Sequence, residues 1–272
     1  MKQTMLNHYS FVFVTTLILN LSAENSNTGK MVYLPNGVYH PFFKNSDDFD
    51  SIRLQAFYMD VLPVTNGDFL DFLKKHPRWQ KNSVKPIFAD SLYLKALSSH
   101  NLSEQPEKEL IQSPLTYVSW FASKDYCECQ GKRLPTTAEW EYAAQAGESE
   151  PVSSENSPLF RRILFWYSQP TVFPLPKTGS APPNYWGIHD LHGLIFEWVA
   201  DFNSALFSND SRTKGGLESS LFCGSGNVSV TDLKNYAAYI RYAFRSSLKA
   251  SYSISNLGFR CVKDLPLQGG KI

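Results

Sequence analysis

The residues able to do chemistry concentrate in the second half of this 272-residue chain. Cys223 precedes Gly224-Ser225-Gly226, a flexible stretch that lets a substrate approach the backbone, so its thiolate is a candidate nucleophile. A small residue buried beside Gly224 is the plainer alternative. His189 and His192 have metal-like spacing, but zinc requires three or four ligands and no third is indicated. Cys127, Cys129, Cys223 and Cys261 in an exported chain read as two disulfides, for which three pairings exist.

These residues need a scaffold, and the run Gly131-Lys-Arg-Leu-Pro-Thr-Thr-Ala-Glu-Trp-Glu-Tyr-Ala-Ala144 supplies its clearest piece. Thr136 can cap a helix while Glu139, three residues on, reaches back to the Thr136 amide, which makes a capping box. Trp140, Ala143 and Ala144 then form an apolar stripe, and Gly147 offers a left-handed stop, predicting a buried helix over 137–146. Thr65 caps a second helix from Asn66, and Ser119 caps a third over Trp120–Cys129. Met31 to Tyr39 alternates around Pro35-Asn36-Gly37 and reads as a hairpin, with a further strand from Arg53 to Met59. Lys81 to Pro114 lacks periodicity and reads as a surface excursion, and Gly147 to Pro158 as an exposed loop.

With 43% hydrophobic and 14% aromatic residues the chain can bury a substantial core, and its sixteen prolines indicate a loop-rich fold. A net charge of +1 with scattered Lys and Arg gives no basic face for nucleic acid. The apolar stretch Phe11 to Leu21, followed by Ser22-Ala23, reads as an export signal over residues 1–23, leaving a domain of 24–272. At about eleven residues the stretch falls short of the roughly twenty needed to span a bilayer. The mature chain is therefore expected to be periplasmic or secreted, without a stable membrane anchor.

Three blocks, Tyr126-Cys127 through Tyr142, Gly187 through Asp201, and Asn256-Leu-Gly-Phe-Arg-Cys261, together resemble the sulfatase-modifying-factor family of formylglycine-generating-enzyme-like domains. Met31 to Gly37, Phe57 to Asn66 and Val118-Ser-Trp120 are similar to further parts of it. The resemblance implies an α+β, C-type-lectin-like single domain with short helices, small sheets and long loops. It also implies a disulfide between Cys127 and Cys261, and a calcium site built from Asp190, the carbonyls of Gly193 and Ile195, and Glu197. Calcium takes several oxygens at flexible angles, which such a loop provides. The other outcome is that Asp190 caps a turn and Glu197 pairs with a buried arginine.

The family's best-known activity oxidises a sulfatase cysteine to formylglycine, using copper held by two cysteines and molecular oxygen; closely spaced soft thiolates suit monovalent copper. Counting back from Asn256–Cys261 without gaps, one copper cysteine falls on Ala237 and the other near Asp232, so the pair is not evident. Cys223 would be the remaining copper or catalytic thiolate. Phe196, Arg245 and Asn256 match positions at or near the family's substrate groove, and Arg133 and Arg260 suit the bracing of loops. The expectation is an exported accessory or maturation factor for a protein or peptide partner, such as an exported sulfatase or metalloenzyme. The alternatives are an active oxidase using Cys223 and a lectin-like binding module.

Overall fold

The computed structural model describes residues 30–41, 51–98, 108–154, 157–203 and 233–266. The expected export signal and Cys223 lie outside these residues. Within them the fold is α+β, with short helices around small sheets. No helix among the described residues is long and apolar enough to cross a membrane.

Strands β1 (Met31–Leu34), β2 (Gly37–Tyr39), β3 (Ile52–Leu54) and β4 (Phe57–Asp60) form one interrupted ribbon. Met31 faces Asp60 and Leu34 faces Phe57 in the β1–β4 ladder. Gly37 faces Leu54 in the β2–β3 ladder, so the register continues across the break. The expected hairpin within Met31–Tyr39 is therefore corrected: Pro35-Asn36-Gly37 interrupts a strand and does not reverse the chain. Pro35 has no N–H to give the ladder, and Gly37 backs onto the Tyr142 phenol so closely that a Cβ would collide with it.

Asn66–Lys75 (α1) starts from a capping box in which the Thr65 amide donates to Asp68 Oδ2 at 3.0 Å. Its carboxylate lies in the first turn and Lys74 and Lys75 in the last, as the helix dipole favours. The described residues of the 81–114 segment are largely exposed, as expected of a surface excursion, but the segment is not structureless. It carries the short helices α2 (Lys95–Ser98) and α3 (Lys108–Gln112), and Tyr93 is buried and donates to the Trp79 carbonyl at 3.1 Å. Next come α4 (Trp120–Cys129), capped by Ser119, and α5 (Thr137–Ala144), where the Thr136–Glu139 capping box forms as expected. Helix α5 ends at Ala144, two residues before its expected end, and Gly147 is not left-handed.

The sequence pattern did not reveal α6 (Pro158–Ser168), capped by Ser157, or α7 (Leu233–Ser246). Between them lies β5 (Phe196–Glu197), paired in parallel with β6 (Leu257–Gly258); β7 (Val262–Asp264) then joins the edge of β4. In the core the rings of Phe69 and Tyr126 contact each other and both Phe72 and Phe259. Beside it Cys127 and Cys261 are disulfide-bonded, with their Cα atoms 5.7 Å apart, fastening α4 to the chain entering β7.

Candidate functional site

Helix α5 organises the site because three consecutive side chains leave it in different directions. Glu139 caps the helix and receives Arg133 through Nη1 at 2.8 Å and Nη2 at 2.7 Å. Trp140 donates its Nε1–H to Glu197 at 2.7 Å. Glu141 is buried and accepts from Arg241 Nε at 2.9 Å, Arg241 Nη2 at 2.6 Å and Arg245 Nη1 at 2.7 Å. Arg241 and Arg245, four residues apart on α7, project on one helical face. Both guanidinium groups also lie over the Trp140 ring, at 5.7 and 4.8 Å.

The charges around Glu141 have clear consequences. Burial pushes its carboxyl up, but the two arginines outweigh it and the pKa falls to about 2. Burial raises the Tyr167 phenol, which accepts from Arg241 Nη1 at 3.2 Å. Burial, helped by the positive Arg241, lowers His192 to about 3. Its neutral ring places Nε2 2.9 Å from the Ala144 carbonyl, which requires a proton on that nitrogen. Nδ1 is then the bare acceptor, buried without a hydrogen-bond partner among the described residues. His189 faces elsewhere, with Nδ1 2.7 Å from the Ala181 carbonyl, so the two histidines do not act as a metal pair.

Against this charged core lies an aromatic cleft. Phe196 stacks on Phe244 of α7 at 4.2 Å and on Tyr167 of α6 at 5.4 Å. Its amide donates to the Asn256 carbonyl at 2.7 Å, the contact that brings two distant sequence blocks together. The cleft holds about 190 Å³ and is lined by Trp166, Tyr167, Pro170, Leu175, Phe196 and Asn256, among others. That is below the roughly 300–1,000 Å³ of small-molecule pockets, and suits one apolar side chain with an amide at the rim. Phe196 and Asn256 thus line one cleft, whereas Arg245 is directed to Glu141.

Asp190 has a positive φ of 59° and accepts the Gly179 amide at 2.5 Å; burial raises its pKa. Gly193, at φ 100°, is exposed, and Ile195 is buried. Both oxygens of Glu197 are occupied: Arg260 Nε reaches them at 3.0 and 2.8 Å, Arg260 Nη2 reaches Oε1 at 2.8 Å, and Trp140 holds Oε2. A calcium ion would have to displace Arg260, so the four residues as arranged do not fit a calcium cage. The Asp190 turn and the buried-arginine pairing of Glu197 are what the structure contains.

Copper finds no pair of thiolates among the described residues. Cys127 and Cys261 are joined to each other, and Cys129 is exposed at the end of α4. Ala237 is fully buried on α7 against Phe160 and Ile163 of α6. Sequence reasoning missed Glu141, Arg241 and Tyr167. The pattern Ala237, Ile240-Arg241, Phe244-Arg245 has the helical spacing that would have found the two arginines.

The sulfatase-modifying factor enzyme 1-like domain profile matches residues 19–265. Bovine (Bos taurus) formylglycine-generating enzyme is 28% identical, over 88% of this chain and 76% of the bovine protein. Bovine inactive C-alpha-formylglycine-generating enzyme 2 is 26% identical, over 89% of this chain and 90% of that protein. The structure of PvdO from Pseudomonas aeruginosa is similar at 18% identity and a TM-score of 0.45, covering 86% of this chain and 94% of PvdO.

Proposed function

The chain belongs to the sulfatase-modifying factor enzyme 1-like family, whose members include proteins named as active and as inactive enzymes, and from that premise we propose that it is an exported accessory or maturation factor. It receives a segment of a protein partner, such as an exported sulfatase or metalloenzyme, in the cleft beside Phe196 and Asn256. It does so without a copper–cysteine pair.

The observation that carries this reading is Ala237. The position on which one copper cysteine falls, counted back from Asn256–Cys261 without gaps, carries only a methyl group packed between two helices, while Phe196 and Asn256 still shape a cleft. A peptide side chain inserted against Phe196, Tyr167 and Trp166 would gain apolar burial and ring contacts, and Asn256 would meet the peptide backbone.

Three measurements test the reading. Copper titration of the purified protein, with Cys223→Ser alongside, is expected to show no tight monovalent site; mass spectrometry of a cysteine peptide incubated in air is expected to show no oxidation. Tight copper lost in Cys223→Ser, together with peptide oxidation, would establish the oxidase alternative instead. Photo-crosslinking from position 172, an exposed residue of the cleft lining, identifies the partner, and Phe196→Ala is expected to abolish its capture.

A further inference from the structure

Away from the cleft, three side chains of different chemistry converge where α1 and α4 end. His76 is the residue after α1, directed out of the helix by Pro77. Asp125 and Cys129 lie four residues apart on α4 and share one face of that helix. One ligand atom from each of the three lies within 4.8 Å of the others, and His76 Nδ1 is 4.0 Å from Cys129 Sγ. They share no residue with the Phe196–Asn256 cleft.

The geometry points to a surface site for a zinc-class divalent cation, bound by His76 Nδ1, a carboxylate oxygen of Asp125 and Cys129 Sγ. A nitrogen, an oxygen and a sulfur donor form a set that zinc accepts, with the fourth tetrahedral position left to water. Metal–ligand bonds of roughly 2.0–2.3 Å place tetrahedral donors a little under 4 Å apart, so closure needs only a small contraction of the observed cluster.

The groups behind the donors hold them in place. The His76 ring stacks on Phe72 at 4.5 Å. Asp125 is held by Trp79 Nε1 at 2.5 Å and by Arg78 Nη2, at 2.7 Å from each oxygen; unlike the sealed Arg260, the Arg78 side chain is 67% exposed and swings into solvent when a cation takes a carboxylate oxygen. Such outer contacts orient ligands, although the Arg78 charge also lowers the affinity for a cation. Two residues before Cys129, Cys127 is anchored by its disulfide, which fixes the end of α4. Binding deprotonates the thiol and forms the sulfur–metal bond, releasing one proton to solvent without any redox change.

Cobalt(II) serves as the spectroscopic probe. The metal-free full-length chain is titrated with cobalt and then with zinc, following thiolate-to-cobalt charge-transfer absorption. The expected result is a single thiolate-ligated equivalent displaced by zinc. The band should be absent in Cys129→Ser, at least roughly tenfold weaker in affinity in His76→Ala, and unchanged in Cys223→Ser. The metal-free Tm of each variant is measured: Cys129 is exposed and Cys223 serves as a control, so both serine variants should match the parent, while His76→Ala loses its stack on Phe72 and its affinity is read below its own Tm. Absence of the band in the parent chain, or a band lost in Cys223→Ser and retained in Cys129→Ser, would overturn the site.

Discussion

Glu197 and Arg260 form a bidentate ion pair with no solvent exposure on either side chain, their closest atoms 2.8 Å apart. Arg260 also donates to the carbonyls of Asp60 at 3.1 Å, Val61 at 3.2 Å and His189 at 2.9 Å. One planar fork thus ties the end of β4, the 189 loop and β5 together. Deleting one partner strands a buried charge, so Glu197→Gln is expected to cost about 3–5 kcal/mol, read from urea unfolding.

The same pair predicts the calcium response. With Arg260 occupying Glu197, a chelator is expected to leave the Tm unchanged, and added calcium likewise. A calcium-dependent rise in Tm that Asp190→Ala abolishes would show that the ion displaces Arg260.

Glu141 sits between two arginines, and both lose their counter-charge in Glu141→Gln. The expected cost is again about 3–5 kcal/mol, but localised: α7 should lose amide hydrogen-exchange protection before the β1–β4–β7 sheet does. Uniform loss of protection across both would contradict the idea that this cluster specifically docks α7.

Acid should loosen the same region, and the sign follows from the two lowered groups. Glu141 falls to about 2 in the fold, so the stability it contributes is present above its ordinary value and is lost as pH drops toward 2. His192, lowered to about 3, is neutral in the fold; its contribution is full above its ordinary value near 6.5 and declines as pH falls from there. Tm should therefore decline below about pH 6.5 and steepen below about pH 4.5. His192→Gln should flatten the upper part of that decline.

The Cys127–Cys261 bond closes a loop with a sequence separation of 134 residues. The chain-entropy model gives about 5 kcal/mol for a loop of that size. Cys127→Ser or a reductant is expected to lower the urea midpoint accordingly, and an unchanged midpoint would mean that packing around Phe259 alone holds α4 in place.

How legible each element was depended on how local its causes are. Capping at Thr65, Ser119 and Thr136 involves groups within three residues of one another, so the pattern revealed α1, α4 and α5 directly. Pro35-Asn36-Gly37 misled because the local tripeptide fits a hairpin turn, while the partner strand begins at Ile52. Helices α6 and α7 escaped notice although Ser157-Pro158 is a local start signal; their apolar and charged faces are matched mainly to each other and to Glu141.

The sequence by itself determined the family, the α+β class and the short capped helices, because signature blocks and caps are written in neighbouring residues. Only the tertiary structure decided what the chemically capable residues do. It gave Glu197 to Arg260, Arg245 to Glu141 and Ala237 to an apolar seam, and it brought His76 to Cys129. The reason is physical: a carboxylate's role depends on which charge reaches it first, and those partners lie 63 and 104 positions away along the chain.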